Sequence, residues 1–258
     1  MAEQPDRRLI EGLNTRFIGH NIFHYPTIPS TQDVAMQAAR AGAFEGAVVT
    51  ADEQTSGRGR LQRSWLSPKD GSLSVSVILR PSARELARLF MVAALAAARS
   101  IEKATGLQTE LKWPNDVLID KRKVCGILIE NELRGSAVSW AVVGIGININ
   151  LDTSEHPEIA GMATSLSAET GRRVSRSEML KCLLEELEAV YLASRGGAPV
   201  HQEWRARLVT LGTRVRANTG DSIETGCAES VDEDGALLLR RDDGSLVRIV
   251  AGDVTLRA

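Results

Sequence analysis

Residues 86–105 restrict the possible folds most, because they form a long apolar helix that needs a surface to cover it. Ser82 and Glu85 form a capping box in front of this helix, and Gly106 ends it. Its many alanines permit close approach to a neighbouring element. Just before it, in residues 72–79, the apolar residues 73, 75, 77 and 79 alternate with three serines and Ile78, and this two-residue period predicts a strand with one face on a core. The chain therefore predicts an α+β fold in which the helix lies against a sheet.

Other periodic segments extend this prediction along the chain. Ser30 is a natural N-cap for a helix that runs to Gly42. The further expected elements are a strand at 47–51, a hairpin at 117–130 with a charged turn, a strand at 141–150, and helices at 176–195 and about 199–208. Residues 151–175 are polar and are expected to form a loop.

The pattern changes after Leu211 and Gly212, where short strands separated by turns replace the helices. The expected strands cover 214–217, 222–230, 236–240 and 246–249, with Asp-Gly turn signals at 234–235 and 243–244. We therefore expect a main domain over residues 1–210 and a small β-barrel over residues 211–258.

Composition limits the kinds of partner and compartment. The 258 residues are 43% apolar and 25% charged, with a net charge of −2, which is ordinary for a globular protein and gives no overall attraction to nucleic acid or an anionic membrane. No apolar run is long enough to span a bilayer, and the first residues lack the core of a signal peptide. The three cysteines are far apart in the chain, so buried free thiols in a reducing cytoplasm are expected.

One segment carries an unusual concentration of positive charge. Residues 57–63 contain three arginines and two glycines without an acid. Glycine permits a positive φ and close approach to a ligand, and the planar guanidinium of arginine matches carboxylate and phosphate oxygens. A cationic loop that folds over an anionic ligand is one interpretation. A solvated surface loop and a disordered RNA-contacting segment are the alternatives that the segment alone leaves open.

A second group of residues with possible functions lies between positions 112 and 148. Pro114 and its neighbours favour a turn, in which Asp116 is a turn cap by local sequence. Lys123 is, by local sequence, an exposed charge of the predicted hairpin. Gly144 and Gly146 interrupt an apolar strand, as at a close approach of a ligand or backbone, but no helix with a third glycine follows, which disfavours a dinucleotide fingerprint.

Four blocks together resemble the biotin protein ligases in their order and spacing. They are Gly57-Arg58-Gly59-Arg60-x-x-Arg63-x-Trp65, Lys112-Trp113-Pro114-Asn115-Asp116, Lys123-x-x-Gly126-Ile127-Leu128-x-Glu130 and Gly144-x-Gly146-Ile147-Asn148. The ending Gly252-Asp253-Val254-x-Leu256-Arg257 resembles the C-terminal domain of that family, and Gln62 replaces a usual family glycine. The resemblance implies a mixed β-sheet catalytic domain flanked by helices, of the class II synthetase-like biotin/lipoate ligase type, with a C-terminal SH3-like β-barrel.

The resemblance also implies a two-step reaction that uses biotin, ATP and Mg²⁺. Biotin would react with ATP to give biotinyl-5′-adenylate and pyrophosphate. A lysine in a biotin carboxyl carrier domain of a biotin-dependent carboxylase would then take the biotinyl group and release AMP. The first step brings two anions together, so fixed positive charge is required where negative charge accumulates. Closure of the Gly/Arg loop would exclude water from the reactive anhydride.

Site residues follow from the matching positions. The implied catalytic residues are Lys123, Arg60 and Lys112. The implied biotin-binding residues are Ser30, Thr31, Gln54, Gly57, Arg58, Arg60, Lys123, Gly126 and Gly144. The implied ATP- or adenylate-binding residues are Arg58, Arg60, Arg63, Trp65, Asn115, Asn148 and Arg257, with Asp116 holding Mg²⁺ through water. Ser30 and Thr31 are, by local sequence alone, helix-capping residues.

Two other classes of function remain at this point, and some properties are open. A lipoate or octanoate transferase-type enzyme would share the fold, whereas a non-catalytic RNA-binding module is disfavoured because acids outnumber bases and only 4% of residues are aromatic. The chain shows no helical pattern for a DNA-binding domain before residue 20, so we expect a ligase without a repressor role. Either a monomer or a homodimer is compatible with the sequence.

Overall fold

The computed structural model describes residues 11–219, 222–250 and 252–256, and they form two sheets with helices. The larger sheet has seven strands in the order β1-β2-β3-β7-β6-β5-β4. Its strands are β1 (Ile22–Ile28), β2 (Val48–Gln54), β3 (Ser72–Leu79), β4 (Glu110–Lys112), β5 (Asp116–Ile119), β6 (Arg122–Arg134) and β7 (Ala137–Asn148). The sheet is mixed because β1 and β2 pair in parallel and the other neighbours pair antiparallel.

The smaller sheet has five antiparallel strands and follows the larger one in the chain. Its strands are β8 (Arg214–Asn218), β9 (Ile223–Val231), β10 (Leu237–Arg240), β11 (Leu246–Ile249) and β12 (Asp253–Leu256), in the order β11-β10-β9-β8-β12. Turns lie at the two predicted Asp-Gly positions, between β9 and β10 and between β10 and β11. The predicted α+β class, with a mixed sheet followed by a separate SH3-like β unit, is therefore confirmed.

Helices cover both faces of the larger sheet. They are α1 (Thr31–Arg40), α2 (Ala83–Thr105), α3 (Leu166–Thr170), α4 (Arg176–Arg195) and α5 (Val200–Ala206). The alanine-rich α2 packs on strands β4 to β7 and on α4, while α1 packs against β2, β3 and β7 with a separate group of buried side chains. Ser82 and Glu85 make both bonds of the predicted capping box, and Gly106 ends α2 with a φ of 77°. Among the described residues, no helix is both long and apolar enough to cross a membrane.

The sequence patterns did not predict several elements. β1 was missed because its sequence, Ile-Phe-His-Tyr-Pro-Thr-Ile, lacks a clean alternation, and Pro26 is tolerated because β1 is an edge strand. The short β12, which pairs with β8, was also missed. Part of the predicted loop at 151–175 forms α3 instead.

One expectation about burial was incomplete and another was wrong. β3 is buried along its whole length, so its serine face is covered as well as its apolar face. The three cysteines are free, but only Cys125 is buried, whereas Cys182 is half-buried and Cys227 is exposed. Burial raises the pKa of the Cys125 thiol, which therefore stays protonated.

A buried carboxylate fixes the segment that leads into β1. Glu188 on α4 is 5% exposed and accepts hydrogen bonds from the backbone N–H groups of Arg16, Phe17 and Ile18. Such bonds to an ionised acceptor are stronger than bonds between neutral groups. The three bonds therefore tie the start of the described chain to the helical layer that covers α2.

Replacement of Glu188 by alanine should lower the free energy of unfolding by about 3 kcal/mol, because three backbone donors, one of them buried and two partly buried, lose a charged acceptor. Denaturant unfolding monitored by circular dichroism measures this loss. Glu186→Ala is the matched control on the same helix, since its Lys103 partner at 3.4 Å is largely exposed and the pair should contribute less than about 1 kcal/mol. Equal losses in the two variants would contradict the role given to Glu188.

Candidate active site

An open cavity of about 820 Å³ lies on the larger sheet, where α1, the segment after β2 and strands β3, β6 and β7 meet. Twelve of the predicted site residues line it: Ser30, Thr31, Gln54, Arg58, Arg60, Arg63, Trp65, Asn115, Asp116, Lys123, Gly126 and Gly144. Gly252, which directly precedes β12, also lines it, so the smaller sheet reaches the same cavity.

Three other predicted site residues lie elsewhere, and a fourth is not described. Lys112 ends β4 opposite Asp116 and is not in the lining. Asn148 is buried and donates to the carbonyl oxygen of Thr164 at 3.0 Å. Gly57 lies behind the lining, against the backbone of the loop. Arg257 falls outside the described residues.

The loop from 55 to 65 does not use its glycines as expected. Neither Gly57 nor Gly59 has a positive φ, and the left-handed residue is Leu61, at 52°. Gly57 is required for close packing instead, because a Cβ atom there would lie 2.3 Å from the carbonyl oxygen of Trp65. Backbone bonds from Gly59 to Arg63 (2.7 Å) and from Trp65 to Gly57 (2.8 Å) close the segment into a compact turn beside the cavity.

Arg58 anchors this loop to two other elements. Its guanidinium lies 2.7 Å from Asp33 on α1 and makes two hydrogen bonds to Glu130 on β6, at 2.8 and 3.2 Å. Burial alone would lower the pKa of Arg58, but the hydrogen bonds and charges of Glu130 and Asp33 raise it above its ordinary value. Arg58 is thus a permanent cation whose charge is balanced by two protein carboxylates. Its bonds to them hold the loop against α1 and β6.

Further cations lie where the loop faces β5 and β6. Lys123 Nζ is 2.6 Å from Asp116 Oδ1 and 5.5 Å from the centroid of the Trp65 ring. Arg60 donates to Asn115 Oδ1 at 3.1 Å, and Asn115 in turn donates to the carbonyl oxygen of Ile127. Lys123 and Arg60 are therefore held in defined positions at one side of the cavity. Positive charge that is fixed in advance is what stabilises an anion in a binding site.

Polar side chains without charge form the floor of the cavity, and several were not predicted. Thr31 N and Oγ1 both donate to Gln54 Oε1, at 2.8 and 3.1 Å, and Gln54 Nε2 donates to Ser74 Oγ at 3.0 Å. Gln32 and Ser76 complete this network, and Gly146 also lines the cavity. The alternation in β3 already placed its serines on one face, but only the structure shows that this face meets the cavity instead of water.

Trp65 packs against two glycines that are partners across β6 and β7. A Cβ atom would lie 2.9 Å from the indole at Gly126 and 2.4 Å from it at Gly146. At both positions the absent side chain leaves room for the ring of Trp65. Trp113, by contrast, is 1% exposed and donates to the carbonyl oxygen of Gly235, so it belongs to the core.

Comparison with known proteins identifies the family to which the chain belongs. Residues 25–148 match the Biotin/lipoate A/B protein ligase family, which does not by itself separate biotin from lipoate. Residues 210–257 match the Biotin protein ligase C terminal domain. The biotin–[acetyl-CoA-carboxylase] ligase of Paracoccus denitrificans is 37% identical over 84% of this chain and 93% of that protein. The chain belongs to the biotin protein ligase family.

Other relatives and solved structures that are similar to this biotin protein ligase agree with that assignment. The bifunctional ligase/repressor BirA of Bacillus subtilis is 36% identical over 95% of this chain and 77% of that protein. The solved biotin protein ligase from Aquifex aeolicus in complex with biotin and ATP superposes with a TM-score of 0.78 at 31% identity, covering 92% of this chain and 99% of the other. The predicted family and activity are confirmed, and the ligase is an enzyme of the biotin–[acetyl-CoA-carboxylase] ligase type.

Proposed function

We propose that this ligase activates biotin with ATP in the described cavity and transfers it to a lysine of a biotin carboxyl carrier domain. One observation carries the proposal: the cavity combines an uncharged polar floor with cations held at one side. This combination suits a ligand with a polar but neutral end and an anionic end. The Paracoccus relative is named for acetyl-CoA carboxylase, and a biotin-dependent carboxylase is the partner class that we infer.

Biotin would lie with its ureido ring on the polar floor. Thr31 and Gln54 offer hydroxyl and amide groups there, and Ser30 caps α1 beside them while lining the same cavity. The ureido group both donates and accepts hydrogen bonds, as these side chains do. The biotin carboxylate would then point towards Lys123.

The first reaction step joins this carboxylate to the α-phosphate of ATP. A carboxylate oxygen attacks phosphorus, the bond from the α-phosphate to the bridging oxygen breaks, and pyrophosphate leaves. Lys123 and Arg60 would stabilise the negative charge that accumulates on the phosphoryl oxygens. Arg63 and Trp65 lie on the same loop and would contact the nucleotide part.

The second step transfers the biotinyl group. The unprotonated amine of a carrier lysine attacks the carbonyl carbon of the adenylate, the C–O bond to phosphate breaks, and AMP leaves as the new amide nitrogen loses a proton. Fixed donors around the phosphate would stabilise the leaving group. Until the lysine arrives, the loop from 55 to 65 would exclude water from the anhydride.

Asp116 fits a limited role in Mg²⁺ binding. The described residues contain no cluster of three or more His, Cys, Asp or Glu side chains that could hold a metal. Mg²⁺ needs few protein carboxylates when phosphate oxygens and water complete its shell, so Asp116 would hold it through water. The ion would shield phosphate charge when bound, and Asp116 would otherwise fix the ammonium group of Lys123.

The remaining assignments concern organisation and location. We assign residues 1–210 to the catalytic domain and 211–258 to the C-terminal domain, in a cytoplasmic enzyme that is a monomer or a homodimer. Lys112 lies outside the cavity lining, so a catalytic role for it would require the phosphates to extend beyond that lining. Asn148 and Gly57 would support the site from behind, and Arg257 would approach the nucleotide from the C-terminal domain.

Exchange of labelled pyrophosphate into ATP tests the first step. Biotin should stimulate exchange, and lipoate should not. Mass spectrometry should then show a biotinyl group on one lysine of an isolated carrier domain, in an ATP-dependent reaction. Exchange with lipoate alone, or label only on lysines outside the carrier site, would reject the proposal.

Replacement of Gly146 by alanine should raise the KM for ATP about tenfold, because its Cβ would lie 2.4 Å from Trp65 and would displace the ring from the nucleotide side of the cavity. Steady-state pyrophosphate release measures the change. Gly126→Ala is a graded comparison with a smaller expected effect, since its closest contact to the ring is 2.9 Å. An unchanged KM for ATP in Gly146→Ala would show that Trp65 does not help to hold the nucleotide.

A further inference from the structure

We infer that Arg176, the first residue of α4, is a positioning residue for the reaction, because it joins the two ends of the chain segment that contains the loop from 55 to 65. It does so from the face of the larger sheet opposite the site cavity. The inference deepens the proposed function and rests on it in one respect, namely that this loop covers the adenylate.

Arg176 lines a second open cavity, of about 920 Å³, at the start of α4. Leu73 on β3 lines this second cavity and belongs to the core that α2 and α4 share, whereas its neighbour Ser74 lines the site cavity. Successive side chains of a strand point to opposite faces of the sheet. Arg176 therefore lies behind the sheet and outside the lining of the site cavity, so any effect it has on the reaction is transmitted by other residues.

One guanidinium contacts both ends of the loop segment. Arg176 Nη1 donates to Asp52 Oδ1 at 2.9 Å and to Asp70 Oδ1 at 3.0 Å, and Nη2 donates to the carbonyl oxygen of Ala51 at 3.1 Å. Asp52 lies in β2, which leads into the loop, and Asp70 lies two residues before β3, which follows the loop. The side chain of Arg176 is 18% exposed, so water and salt screen these charge-assisted bonds less than they screen a surface ion pair.

Both carboxylates have a further reason to stay in place. Asp52 Oδ2 lies 3.2 Å from His24 Nε2 on the edge strand β1, so its second oxygen is also bound. Asp70 has a φ of 60°, a left-handed conformation that few residues other than glycine adopt. Its bond to Arg176 helps to hold the chain in this turn, through which it enters β3. The network therefore connects α4 and β1 to the two strands that carry the loop.

The contribution of Arg176 is a second connection between the two arms of the loop segment. The arms already pair at one point, where the backbone N–H of Gln54 donates to the carbonyl oxygen of Ser67 at 3.0 Å. Two arms that are joined at a single point can pivot about it. The bonds of Arg176 to Asp52 and Asp70 join the same arms further from the tip, and this fixes the direction in which the loop projects over the site cavity.

Arg176→Met keeps an unbranched apolar side chain but removes the charge and all three hydrogen bonds. In the protein without ligands, backbone amide hydrogen exchange in residues 55–66 should become about tenfold faster. The adenylate should leave the enzyme about tenfold faster, while its single-turnover formation stays within about threefold of the parent, because Lys123 remains in place. Mass spectrometry of exchanged peptides and rapid filtration of enzyme loaded with labelled biotin measure the two effects.

Arg173→Met is the matched control, because Arg173 is an exposed arginine that lines the same second cavity, and the variant should behave as the parent enzyme. Asp70→Asn is a milder second variant, since the Asp70 side chain is 56% exposed, and it should also speed both loop exchange and adenylate release. Because Arg176 and Asp70 act through one bond, the double variant Arg176→Met with Asp70→Asn should be no faster in either measurement than Arg176→Met alone.

Hydrogen exchange needs neither biotin nor ATP, so it separates this inference from the proposed function. Parent-like exchange of residues 55–66 in both Arg176→Met and Asp70→Asn would overturn the inference, whatever happens to the adenylate. Equally faster exchange throughout α4 and the larger sheet, with slower adenylate formation, would also overturn it, because Arg176 would then only stabilise the fold. Faster exchange confined to the loop, with unchanged retention of the adenylate, would support the positioning of the loop by Arg176 and reject the covering role that the proposed function gives to the loop.

Discussion

Lys123→Ala is expected to slow adenylate formation about 1,000-fold while the fold is retained. The ammonium group lies at the cavity side where a carboxylate and a phosphate would meet, and it is held there by Asp116 at 2.6 Å. Loss of one preorganised group that stabilises transition-state charge typically reduces the rate by two to three orders of magnitude, roughly 10²–10³. Biotin-dependent exchange of pyrophosphate into ATP and single-turnover formation of the adenylate both measure the effect.

Lys121→Ala provides the matched control, because Lys121 is an exposed lysine in the preceding turn of the same hairpin. It removes the same charge and should leave the rate within about twofold of the parent.

The double variant Lys123→Ala with Asp116→Asn tests whether the slow rate has another cause. If the unpaired carboxylate of Asp116 were the reason for the slow rate, its neutralisation would restore activity. Restoration would contradict a direct role for the lysine, and so would a near-normal rate in the single variant.

Segments with strong local signals were predicted well. The capping box of Ser82 and Glu85 and the left-handed Gly106 bound α2 because those residues interact within a few positions of the chain. The Asp-Gly turns in the smaller sheet are local signals of the same kind. By contrast, β1 depends on parallel pairing with β2, across a helix, and no local period reports such pairing.

Residue type alone makes the charged residues of the candidate site stand out, whereas its uncharged residues Ser30, Thr31 and Gln54 were predicted only through the family resemblance. Arg60 and Lys123 stand out in the sequence, and both line the cavity. Gln32 and Ser76 have no sequence signal of their own, because a polar residue on a helix or on an alternating strand normally faces water. Their role appears only when the face opposite the core is found to be buried. Gly57 is required because a side chain there would collide with the backbone of Trp65. The sequence suggests only that glycine permits unusual backbone angles, so it did not predict this contact.

Arg60→Gly is expected to release the adenylate from the enzyme about 30-fold faster, with a smaller effect on its formation. Arg60 donates to Asn115 at 3.1 Å and lines the cavity, so it links the loop to the turn before β5. Loss of a charge-assisted hydrogen bond of about 2 kcal/mol corresponds to this factor. Arg58 keeps its bonds to Asp33 and Glu130, so the base of the loop should stay attached. Rapid filtration of enzyme loaded with labelled biotin measures the release.

Free adenylate reacts with any accessible amine, so the same variant should also label lysines of an unrelated protein such as serum albumin. Arg134→Gly is the matched control, because Arg134 is highly exposed beside the turn between β6 and β7 and lies outside the cavity lining. If Arg60→Gly formed the adenylate slowly but retained it as long as the parent does, the arginine would act on the reacting charges alone. The loop would then exclude water without help from Arg60, and its closure would depend on the bonds of Arg58 instead.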